Sequence, residues 1–141
     1  MKLRLLFAIA AWAAICSPIA ARADVVPIVS TKSAVTSLSA GQVADIFLGK
    51  TSRFPDGSQA VPVDQPEESA ARDRFYSQFT GKSPAQVKAY WSKIIFTGRG
   101  QPPRQVANAQ EAKRFVLENP NAIAYIDASQ LDDTVRVVSP R

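Results

Sequence analysis

The chain has 141 residues, with 17 Lys and Arg against 12 Asp and Glu, a single cysteine and no histidine. The missing histidine removes the commonest general base and the commonest zinc ligand, and one cysteine cannot form an internal disulfide. A chain of this length makes one domain with one core, and the formal charge of +5 overstates its basicity, because part of it lies in the leader described next.

Lys2 and Arg4 precede an apolar run from Leu5 to Ile15, and Ala21-Arg22-Ala23 is a small-x-small cleavage signal. Residues 1–23 therefore read as a secretory signal peptide cleaved after Ala23, and the apolar run is too short for a membrane span. Cys16 raises a lipid anchor as the alternative, but Ile15 before it is not the small residue that lipidation wants. The expected mature chain, residues 24–141, loses Lys2, Arg4 and Arg22, so 14 basic side chains face 12 acidic ones. Nothing in it forms a basic stripe, and no nucleic-acid partner is expected.

Val25 to Val29 is a β-rich run, and Pro27 inside it suggests an edge strand or a strand start. Thr31 to Ser37 reads as a connection. Ser39-Ala40-Gly41-Gln42 is a capping box opening a helix with Val43, Ile46 and Phe47 inward, and Gly49 ends it. Lys50 to Gly57 is a loop with turn chemistry at Pro55-Asp56-Gly57. Gly49-Lys50-Thr51 is not a nucleotide P-loop, because Ala44 stands where that motif needs its first glycine.

Ala60 to Val63 reads as a buried strand. Pro66 forces Gln65 to be extended, Glu67 and Glu68 sit where a helix begins, and Ala71, Phe75 and Phe79 follow at helical spacing. A strand feeding a helix N-terminus presents free backbone N–H groups, the place where α/β folds tend to bind anions. Gly81 stops this helix. Ser83-Pro84-Ala85-Gln86 opens a third, with Val87, Tyr90, Trp91, Ile94 and Ile95 giving the wide apolar face of a main core helix. Gly98 closes it, and Arg99 to Arg104 is a basic Gly/Pro-rich loop, read as solvated in preference to a second anion or partner surface. Asn108 and Glu111 open a fourth helix with Ala112, Phe115 and Val116 inward, ended by Asn119-Pro120. Ala122 to Ile126 is a continuous apolar run, the mark of a strand buried on both faces; Asp127 to Asp133 turns, and Val135 to Val138 is the last strand. Strands alternating with helices imply a small α/β domain: a mainly parallel sheet of about four strands flanked by about four helices.

The run from Leu38 to Lys50 (LSAGQVADIFLGK), followed by Phe54-Pro55-Asp56-Gly57, resembles the "LS-x-x-Q-x-x-x-IF-x-GK … W-x-DG" signature of phosphate ABC-transporter substrate-binding proteins. Asn119 to Ile126 is similar to that family's "PGAIGYV" strand. Family members are two-lobed clamshells of the type II periplasmic binding fold, and the matches fall in the second lobe. The resemblance therefore implies a single-lobe version located in the periplasm, with inorganic phosphate or a similar oxyanion as ligand and an ABC-transporter permease or another envelope protein as partner. It implies a binding protein, with no catalytic residues, no metal and no cofactor.

The chain departs from the family at the ligand motif R-x-x-x-S-G-T. Gln65 stands for the gripping arginine, Ser69 matches the serine, Ala70 replaces glycine, Ala71 replaces threonine, and Arg72 matches an arginine that often follows. Gln65, Ser69, Ala70, Ala71 and Arg72 are thus the candidate oxyanion residues. A charge-assisted hydrogen bond contributes about 1.5–3 kcal/mol, so losing the gripping arginine weakens binding by roughly one to two decades. Simpler readings stand beside this one: Ser69 as a helix cap, Arg72 paired with Glu68 one turn earlier, and Glu67 and Glu68 as charges suited to the positive end of a helix rather than an acid/base couple. The alternative function is an interaction module, a lobe kept as a scaffold that docks on an envelope or sensor protein.

Overall fold

A computed structural model describes residues 24–138. Five strands and four helices follow one another: β1 (Val25–Ser30), α1 (Ala40–Phe47), β2 (Val61–Asp64), α2 (Ala70–Thr80), α3 (Pro84–Phe96), β3 (Arg104–Gln105), α4 (Ala109–Glu118), β4 (Ala122–Asp127) and β5 (Val135–Val137). The helix starts follow their capping chemistry. Ser39 and Ser83 both close capping boxes with a glutamine at the third helical position, and Asn108 accepts from the Glu111 N–H. Gly81 takes the left-handed conformation that ends α2, with φ 67°.

The strands form one sheet in the order β3-β2-β4-β1-β5. β2 pairs parallel with β3 and β4, while β1 pairs antiparallel with β4 and β5. Four strands therefore share one direction and β1 alone opposes them. Pro27 does not mark an edge, since β1 lies between β4 and β5. The Pro27 carbonyl accepts from the Val138 N–H at 3.1 Å. In an antiparallel ladder the nitrogen and carbonyl of one residue face the same neighbour. The ring nitrogen therefore points to the end of β5, and no bond to β4 is sacrificed.

β4 is buried along Ala122–Ile126 as a two-faced strand must be. Its side chains alternate. Ile123 and Tyr125 join a cluster with α1, α2 and α3, whereas Ala122, Ala124 and Ile126 join a second cluster against Ala112 and Val116 of α4. Aromatic rings fill the first cluster: Tyr125 stacks on Phe75 with centroids 4.0 Å apart, and Phe47 packs edge-on to Phe75 at 4.6 Å.

The third helix is not the main core helix. Only Val87 and Trp91 of α3 are buried, and Ile95 is 56% exposed. α3 packs against α2 and the C-terminal end of α1, where the Tyr90 hydroxyl donates to the Leu48 carbonyl at 2.7 Å and the Trp91 ring lies against Gly49. A Cβ added at Gly49 would come within 3.0 Å of that ring, and its φ of 69° is itself left-handed, so both space and backbone demand glycine there. The two-residue strand β3, inside what reads as loop, is too short to leave a periodic signal.

Candidate functional site

The junction from β2 to α2 forms as its sequence suggests: an extended Gln65-Pro66, a turn through Glu67 and Glu68, the N-cap Ser69, and α2 from Ala70. It lies at the C-terminal edge of β2, the edge of parallel strands where ligands gather in open α/β sheets. Ser69 caps the helix through its Oγ, which accepts from the Arg72 N–H at 3.3 Å and donates to Gln65 Oε1 at 3.0 Å. The N–H groups of Ala70 and Ala71 precede the first intrahelical bonds and have no hydrogen-bond partner among the described residues. Glu67 and Glu68 are exposed beside them.

Behind this mouth lies a buried carboxylate. Asp64, the last residue of β2, is 1% exposed, and four donors converge on it. Its Oδ1 accepts from the Gln65 N–H at 2.9 Å and from the Tyr125 hydroxyl in a short contact. Its Oδ2 accepts from the Tyr76 hydroxyl at 2.7 Å and from Arg72 Nε at 3.3 Å. Arg72 is itself only 7% exposed, and its guanidinium carbon lies 5.0 Å from the Tyr76 ring centroid. Gln65 belongs to the same network, donating through Nε2 to the Tyr125 carbonyl at 2.9 Å and so lacing β2 to β4.

Each fold element contributes one part. Stacking on Phe75 fixes the Tyr125 ring and aims its hydroxyl at Asp64. Helical spacing places Arg72 and Tyr76 one turn apart on the same face of α2. Burial raises both phenols well above their ordinary range, and the neighbouring Asp64 charge adds to the rise. Burial pulls the Arg72 guanidinium down, but the Asp64 carboxylate and the two tyrosines outweigh it and leave it above its ordinary value. An isolated buried charge is costly, and here each is matched by the other and by hydrogen bonds.

The structure thus brings Gln65, Ser69 and Arg72 into one hydrogen-bonded group and sets Ala70 and Ala71 at the helix start. Arg72 pairs inward with Asp64 rather than along the helix with Glu68. Asp64, Tyr76 and Tyr125 do not stand out in the sequence. The available signal is a carboxylate ending an apolar strand, and a tyrosine inside an otherwise aliphatic one. Among the described residues no group of three or more His, Cys, Asp or Glu side chains is placed to hold a metal ion, and no helix is long and apolar enough to cross a membrane.

No protein-family profile matches the sequence, and no curated protein matches it. Solved structures do. A phosphate ABC transporter substrate-binding protein from Clostridium perfringens, with bound phosphate, superposes with a TM-score of 0.66 at 23% identity, over 82% of this chain and 44% of that one. PstS from Borrelia burgdorferi gives 0.60 at 13% identity, over 83% and 47%. An ABC-type phosphate transport receptor from Vibrio cholerae gives 0.54 at 16%, over 82% and 45%. The chain spans less than half the length of these structures and shares the fold of one of their lobes.

Proposed function

We propose, from a fold shared with one lobe of phosphate-binding substrate receptors, that this chain is an exported binding domain of the periplasm that engages oxyanions weakly. The contact is the start of α2: the N–H groups of Ala70 and Ala71, with Ser69 and Gln65 bonded to each other behind them. One observation carries the word weakly. The Arg72 cation is already bonded to Asp64, and the exposed Glu67 and Glu68 repel a second anion. Phosphate therefore meets helix-start amides but no unpaired guanidinium. Binding rather than catalysis suits this donor set, which holds no nucleophile–base pair.

Thermal-shift titration with phosphate and sulfate tests the proposal. The expected stabilisation grows as RT ln(1 + [L]/Kd) and appears only in the millimolar range. Ala70→Pro deletes one donor at the first helical position, where proline is tolerated, and removes most of the shift while the fold stands. An absence of any shift at high millimolar phosphate and sulfate overturns the reading.

The second reading, a non-transport scaffold that docks on an envelope or sensor protein, is favoured by a different observation: Phe96 is 92% exposed beside the exposed Ile95. Phe96→Ser would then abolish capture of the partner without changing the anion titration.

A further inference from the structure

The opposite end of β2 faces an open groove of about 570 Å³, enclosed by the C-terminal end of α1, the first residues of β2, the second half of α3 and the loop after it. Its floor is apolar, from Ile46, Leu48, Pro62, Trp91 and Ile94. A smaller cavity of about 250 Å³ shares Ile46, Pro62 and Trp91 and runs on toward Pro102 and Pro103, so the two form one trough. This size and lining are those of small-molecule sites.

The charges that line it have one sign. Lys93 and Arg99 line the groove, no carboxylate does, and neither cation forms an ion pair among the described residues. Asp45 is the nearby acid, close enough to push the Tyr90 phenol up after burial has done so. The Trp91 indole N–H is buried and has no partner among the described residues. Trp91 is 6% exposed, so its ring is held rather than free to swing. An apolar floor with two unpaired cations at its rim asks for a complementary occupant.

We infer that this groove binds a small amphipathic anion: a carboxylate with an apolar body, seated along Trp91 and Ile94 with its charge on Lys93 and Arg99. The site is separate from the α2 N-terminus and does not depend on oxyanion binding there.

Fluorescence of the Trp12→Phe protein tests it, because Trp91 is then the only tryptophan. Decanoate, decanol and decylammonium serve as probes of equal apolar length and different charge. Decanoate quenches Trp91 saturably below its micellar range, at least about tenfold more tightly than decanol, with decylammonium weakest. Lys93→Gln with Arg99→Gln erases the preference for decanoate over decanol. Ser52→Phe, at an exposed lining position, blocks all three, while Ser69→Ala leaves decanoate binding unchanged. Equal affinity for decanoate and decanol, no saturable quenching, or charge-removed and Ser52→Phe variants that bind as before each overturn the inference. Loss of decanoate binding in Ser69→Ala would show that the two sites are one, and would overturn it as well.

Discussion

The two ends of β2 treat charge in opposite ways. At the C-terminal end, Asp64 and Arg72 neutralise each other inside the protein, and two tyrosine hydroxyls complete the carboxylate's shell. At the other end, Lys93 and Arg99 stand over an apolar trough with no acid in its lining. A charge satisfied within the fold stabilises structure but has little left for a ligand; a charge left on a rim is available to one. The site marked by the ligand motif is thus the one whose cation is committed; the groove is lined by Ile46, Leu48 and Gly49 of the signature run but carries no ligand motif.

The largest effect comes from breaking the sealed end. Arg72→Ala strands Asp64 as a buried, unpaired carboxylate and is expected to cost about 3–5 kcal/mol in denaturant unfolding at neutral pH. Asp64→Asn with Arg72→Met removes both charges and recovers much of that loss. If Arg72→Ala alone is nearly neutral, the pair is not the buried lock described above.

A smaller effect sharpens the comparison through pH. The folded state keeps Tyr76 and Tyr125 protonated far above the ordinary phenol value of about 10, while the unfolded chain ionises there. Their contribution is fully present below about pH 10 and is lost as pH rises beyond it, because only the unfolded state then releases protons. Denaturation midpoints measured across that range fall steeply, and Tyr125→Phe flattens the slope. An unchanged slope would place the alkaline sensitivity elsewhere.

The smallest effect belongs to the open end. Phe96→Ser removes a side chain with almost no burial, so unfolding free energy changes by less than about 0.5 kcal/mol. A large loss would mean that Phe96 packs in solution and that this end is less open than its exposure indicates.

Local chemistry was legible in the sequence, and tertiary choice was not. Ser39, Ser83, Asn108 and Gly81 act within one turn of chain, so their roles follow from their neighbours alone. The buried run of β4 and the strand-to-helix junction were equally readable. Arg72 had a local partner in Glu68 and a remote one in Asp64, and burial decided for the remote one; no spacing rule reports which partner lies in lower dielectric. Ile95 extends the apolar pattern of α3, but periodicity cannot say whether a helix turn has anything to pack against. Pro27 reads as an edge signal because the usual rule assumes that the neighbouring strand continues past it. The candidate anion residues were gathered by the motif, whereas the carboxylate they surround became visible only once Tyr76 and Tyr125 were placed.

The sheet's outermost strands are β3, of two residues, and β5, of three. Such stubs offer an incoming chain few backbone groups to grip, a defence against lateral stacking. A domain with these margins has little means of fusing into fibrils through its backbone. Any contact with another protein falls to side chains instead, and among the described residues Phe96 is the most exposed large apolar one.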